Sequence, residues 1–105
     1  MPSIDQLHRA LAADPNDAFL LYGLAMEHAK LDDHEPALDY FRRAIEADPA
    51  NAYHHYHMAR SLEALGREAD ARATLEAGLK QAQTHGDHKA IGEITDYLHR
   101  LGEDD

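Results

Sequence analysis

The chain has 105 residues, enough for one domain with one modest core. Twenty acids against 10 bases give a formal charge of −10, and Arg42-Arg43 is the only adjacent basic pair, so no nucleic-acid partner is expected. Cysteine is absent, which excludes disulfides and thiolate chemistry, and no apolar run reaches the roughly 20 residues of a membrane span.

The elements are all helical, near 3–14, 17–31, 34–48, 51–65, 67–84 and 87–101. Ser3 with Gln6 is a capping-box pattern for the first, whose apolar positions are Leu7 and Leu11. The opening "MPSIDQLHRA" lacks the charged-then-apolar order of a signal peptide, so a cytoplasmic protein with no membrane contact is expected. In the second helix Leu21, Leu24, Ala25, His28 and Leu31 recur at steps of three and four, with Asn16 or Asp17 as N-cap. Asp33 is the expected N-cap of the third, Pro36 fits its first turn, and Leu38, Phe41, Ala44 and Ile45 form its stripe. Pro49 ends it by driving Asp48 out of the helical region.

Asn51 caps the fourth helix, which carries two stripes. Met58, Ala59, Leu62 and Leu65 mark a core side; Tyr53, Tyr56 and Arg60 recur on another side. Gly66 separates the fourth helix from the fifth, and Ile91, Ile94, Leu98 and Leu101 form the apolar face of the sixth.

The chain also repeats itself. Pro15 and Pro49 lie 34 residues apart, and at that offset Ala18 meets Ala52, Tyr22 meets Tyr56, Ala25 meets Ala59, Leu31 meets Leu65 and Ala37 meets Ala71. "RALAADP" at 9–15 parallels "RAIEADP" at 43–49, so the chain begins with the second half of a unit.

This period, the helix–turn–helix unit and its closing Pro49 resemble the tetratricopeptide repeat family. Leu24-Ala25 and Met58-Ala59 stand at its Leu-Gly positions. Ala37 and Ala71 match its first small residue, Phe41 and Leu75 its large apolar one, and Ala44 and Gly78 its second small one. Its early tryptophan is replaced by Leu21 and His55, and Gln83 replaces the second closing proline, leaving the sixth helix without a fixed register. The resemblance implies an all-α, right-handed α-solenoid of antiparallel helix pairs with about six helices. As a single domain over 1–105, it divides into a half-repeat helix (1–14), repeat 1 (15–48), repeat 2 (49–85), and a capping helix with an acidic tail (86–105).

In this family the first helix of each pair lines a concave face. Here that places Phe19, Tyr22, Met26, Lys30, Tyr53, Tyr56, His57, Arg60 and Glu63 on a peptide-binding groove. The expected role is a protein–protein interaction module holding a peptide segment of a partner. The competing expectation is a homodimer that buries the same aromatic face. Some relatives hold a terminal carboxylate with lysine and asparagine, a pattern that Tyr22, Met26, Tyr56 and Arg60 do not reproduce.

The stretch "AYHHYHMAR" at 52–60 raises the question of a metal. His55 belongs to the core stripe, His54 stands where the first repeat has Leu20, and His57 accompanies the groove residues, so the three diverge. Neither His54/His57 nor His85/His88 has the four-residue spacing and glutamate of a HExxH site, and no metal or other cofactor is expected. Ser3 and Ser61 lack a nucleophile setting and the glycines form no phosphate loop, so no catalytic residue is expected. Protonating all nine histidines would take the formal charge from −10 to −1. Association towards the sequence pI of about 5.2 is one reading of that; independent titration of scattered surface groups is the other.

Overall fold

The computed structural model describes residues 2–103. It contains α1 (Ile4–Ala13), α2 (Ala18–Lys30), α3 (His34–Ala47), α4 (Ala52–Ala64), α5 (Glu68–His85) and α6 (His88–Glu103). No strand occurs among the described residues. Asp104 and Asp105, part of the expected acidic tail, lie outside them.

Local chemistry sets the helix starts. Ser3 and Gln6 form the reciprocal capping box, with the Gln6 N–H donating to Ser3 Oγ at 3.2 Å and the Ser3 N–H to Gln6 Oε1 at 2.9 Å. Asp17, not Asn16, caps α2, accepting from the Leu20 N–H at 3.1 Å. Asn51 accepts from the Tyr53 N–H, and Asp87 from the Ala90 N–H. Asp33 occupies the cap position of α3 without making the cap bond; its carboxylate lies 3.1 Å from His28 Nδ1 instead.

The helix ends repeat one closure. The backbone N–H of Asp33 donates to His28 O, that of Arg67 to Leu62 O, and that of Asp87 to Ala82 O, each at 2.9 Å. The residue before each of these donors is left-handed: Asp32 at φ 58°, Gly66 at 76° and Gly86 at 66°.

Consecutive helices pack antiparallel, and the pairs α2–α3 and α4–α5 stack as a solenoid measuring 42 × 29 × 20 Å. Small residues set the approach within a pair. Ala25, Ala37, Ala44, Ala59 and Ala71 are fully buried, and a Cβ added to Gly78 would stand 2.6 Å from His55 Cβ. Phe41, Leu38, Leu24 and Leu75 fill the remaining volume. The two ends close differently. Leu7 and Leu11 of α1 join Leu21, Leu24 and Ala44 in a small satellite core, whereas Ala90, Ile94, Tyr97 and Leu101 of α6 join the main core.

Two residues depart from the stripes read from spacing. Leu31 is 68% exposed and Leu65 37%, because α2 ends at Lys30 and α4 at Ala64. Both are C-cap residues, so the helical period no longer aims them at the core.

Candidate functional site

α2 and α4 touch, and α4 touches α6, so these three helices lie side by side along one face. A cleft of about 310 Å³ opens between the C-terminal halves of α2 and α4 and the start of α3. Met26, Ala29, Phe41 and Ala64 supply its apolar lining. Lys30, His57 and Arg60 supply its polar lining from α2 and α4, and Asp32, His34 and Ser61 complete it. A second hollow, of about 430 Å³, adjoins it at Arg60 and is lined by Tyr56, Arg60, Glu63, Tyr97 and Arg100.

Of the nine residues that the family resemblance assigned to a groove, six line these two spaces. Met26, Lys30, His57 and Arg60 line the cleft, and Tyr56, Arg60 and Glu63 line the second hollow. Tyr22 is half-buried beneath them. Its ring meets Phe41 edge-on at 6.3 Å between centroids, and packs on His54 at 5.2 Å and His57 at 5.7 Å. Tyr53 lines neither space; its ring packs on Tyr56 at 6.3 Å. Burial, then the Glu93 and Asp87 carboxylates, push its hydroxyl pKa above the ordinary tyrosine value. Phe19 also lines neither space and is 78% exposed near the start of α2.

The histidines separate by direction. His54 is 3% and His55 7% exposed. Both ring nitrogens of His54 and Nδ1 of His55 are buried without a hydrogen-bond partner among the described residues. Burial lowers the pKa of both rings and of His57; the Arg60 guanidinium adds to the lowering at His57. No group of three or more His, Asp or Glu among the described residues is arranged to hold a metal.

His34 and Ser61 carry no periodic signal and were invisible to spacing. Nδ1 of His34 lies 3.1 Å from Ser61 Oγ, and Nε2 lies 3.6 Å from Asp32 Oδ1. The three residue types match a hydrolytic relay, but the surroundings do not. Ser61 is 1% exposed and inside α4, where the backbone N–H groups serve the helix and none is left to stabilise an oxyanion. The contact instead ties the first turn of α3 to α4.

Tyr97 and Arg100 extend the lined face onto α6, and neither was assigned to it from the sequence. Tyr97 is 3% exposed and donates from its hydroxyl to Glu63 Oε1 at 2.5 Å. Burial and that bond hold the hydroxyl proton far more tightly than in a free tyrosine. Its ring meets Tyr56 edge-on at 5.5 Å, and the Arg100 guanidinium sits 5.0 Å from the Tyr97 centroid. Spacing places Tyr97 on the apolar face of the helix, three residues after Ile94 and four before Leu101, without tying that face to the groove.

Comparison with known proteins agrees with the fold. Residues 28–91 match the tetratricopeptide repeat family. The chain is 34% identical over 98 residues to a TPR repeat-containing protein of Pseudomonas aeruginosa, covering 93% of each. It is also similar to a Bordetella parapertussis protein solved in solution, with a TM-score of 0.86 and 28% identity over 100% of this chain and 91% of that one. A crystallised tetratricopeptide repeat domain protein of Salinibacter ruber gives a TM-score of 0.75 and 33% identity, covering 83% of this chain and 97% of its own.

Proposed function

The chain belongs to the tetratricopeptide repeat family, a fold of general protein–protein interaction modules, and from that premise we propose that it holds a peptide segment of a partner protein on the face shared by α2, α4 and α6. The observation that carries this reading is the cleft of about 310 Å³, in which Met26, Ala29 and Ala64 offer apolar contact beside Lys30, His57 and Arg60. An apolar floor with a few convergent polar groups suits a side chain of another molecule. Tyr56 adds ring surface with few rotatable bonds. The family and its fold are typically non-catalytic scaffolds, and the proposal requires no cofactor.

Self-association through the same face is the competing use. Chromatography coupled to light scattering separates the two, with a Met26→Ala, Arg60→Ala variant as control. Peptide capture predicts a monomer of 11.7 kDa whose binding of the partner segment is lost in the variant. A native particle of twice that mass that the variant returns to monomer would replace the proposal with a homodimer. Both substitutions lie at the cleft rather than in the fully buried core, so far-UV circular dichroism of the variant is expected to match the native chain.

A further inference from the structure

The lining of the second hollow carries charge of the opposite sign to the molecule. The formal charge is −10, yet the second hollow brings two arginines together, Arg60 from α4 and Arg100 from α6. Neither makes an ion pair with any described residue. Glu63, the carboxylate that lines the hollow with them, accepts a hydrogen bond from the Tyr97 hydroxyl at 2.5 Å. Arg100 lies over the Tyr97 ring and leaves the planar fork of its guanidinium available for an oxyanion. Two guanidiniums against one carboxylate leave the described lining of the hollow net positive, the complement of an anionic group.

We propose that this hollow seats a side-chain carboxylate of the bound segment, an Asp or Glu that lies near an aliphatic residue occupying the Met26–Ala29–Ala64 cleft. The inference rests on the groove reading and specifies the partner's chemistry. A side chain, rather than a chain terminus, follows from the connection between the two spaces. Arg60 lines both, so a segment filling the apolar cleft runs on past Arg60 towards Arg100 instead of stopping there. The polar character of the second hollow fits the same division, with tyrosine rings and charged groups in place of the apolar floor.

The test uses the full chain and a panel of short peptides, acetylated and amidated so that their ends carry no charge. Each has a Leu separated by zero to three Ser residues from Glu, Gln or Lys. Fluorescence anisotropy gives affinities, and amide NMR shifts of α2 and α4 report groove occupancy independently. The best Glu peptide is expected to bind at least about tenfold more tightly than its Gln counterpart, the size of a charge-assisted bond exchanged for a neutral one. Arg60→Gln and Arg100→Gln should each bring that ratio close to one. Met26→Ala should weaken Glu and Gln peptides alike. Equal binding of Glu and Gln peptides, with α2 and α4 amides still shifting, would overturn the carboxylate seat and leave the groove standing. Preference for the Lys peptides would overturn it in favour of a basic partner. A Gln peptide with a free C-terminus that binds as well as the amidated Glu peptide would overturn the side-chain assignment in favour of a chain end. If no peptide shifts the α2 and α4 amides, both the seat and the groove reading fail.

Discussion

Asp32 and Gly66 occupy the same turn one repeat apart, and both are left-handed, at φ 58° and 76°. Glycine adopts that region freely, whereas a residue with a Cβ is held there at a cost. Asp32 is nearly free of the protein, with its carboxylate 94% exposed and 3.6 Å from His34 Nε2, so its side chain returns little. Asp32→Gly is therefore expected to raise the unfolding free energy by about 0.5–1 kcal/mol, read from a urea midpoint that moves up at constant slope. The opposite sign is expected at Gly78. There a Cβ would come 2.6 Å from His55 Cβ and 3.2 Å from its Cγ, between helices that are already in contact. Gly78→Ala should cost about 1–3 kcal/mol by forcing α4 and α5 apart. In the first repeat the corresponding pair is Leu21 with Ala44, both buried in one cluster, so the two repeats satisfy the same contact with different residue volumes. A Gly78→Ala chain as stable as the native one would show that the backbones of α4 and α5 can separate at His55 without loss.

α6 closes the solenoid at one end, where a helix pair would otherwise leave an apolar face open. Ala90, Ile94, Tyr97 and Leu101 are at most 3% exposed, and all belong to the main core. α1 covers less, with Leu7 and Leu11 joined to the satellite cluster around Leu21 and Leu24. Removing residues 87–105 is expected to abolish cooperative thermal unfolding and drive aggregation; removing 1–14 should lower the midpoint and leave a cooperative transition. A monomeric chain lacking 87–105 that melts near the native temperature would refute the first expectation. The helices themselves were legible because proline, capping residues and steps of three and four all pointed to the same boundaries within about two residues. What spacing missed has three separate causes. Leu31 and Leu65 follow the period by one residue beyond the helix end, where the backbone has already turned. His34 and Ser61 meet across 27 residues of chain, a relation no local period encodes. Tyr97 lies on α6, and α5 runs through to His85, past the position at which the first repeat places its closing proline. The offset of 34 therefore fails to carry from α4 to α6, and with it the means of recognising Tyr97 and Arg100 as part of the lined face.

α4 sits at the centre of the molecule, packed against α3, α5, α2 and α6, and it carries three imidazoles whose pKa burial lowers. His54 faces Tyr22 and the Asp48 carboxylate and adjoins His55. His55 lies against Gly78 and beside a groove lined by Arg42 and Glu46. His57 is flanked by Arg60, Glu93, Tyr22, Tyr56 and His54. In each case burial dominates and the pKa falls below the unfolded value of about 6.5. The unfolded chain then binds more protons than the folded one below that pH. Stability is full above about pH 6.5 and declines as the pH falls towards the folded values. A second effect opposes it, since protonating histidines reduces a formal charge of −10 and with it the self-repulsion of the compact state. The first should prevail, because charging a ring withdrawn from water costs its solvation directly, whereas repulsion between exposed charges is screened beyond roughly 8 Å at physiological salt. The urea midpoint is thus expected to fall steadily from pH 7 to pH 5.5. The first repeat supplies the control: it has Leu20 and Leu21 where the second has His54 and His55, and Ala44 where the second has Gly78. A His54→Leu, His55→Leu variant that keeps Gly78 carries over the two leucines and should flatten most of the pH dependence, His57 retaining the remainder. A midpoint that stays level in the native chain, or a slope that survives in the double variant, would assign the acid response to the molecule's surface charge instead of its centre.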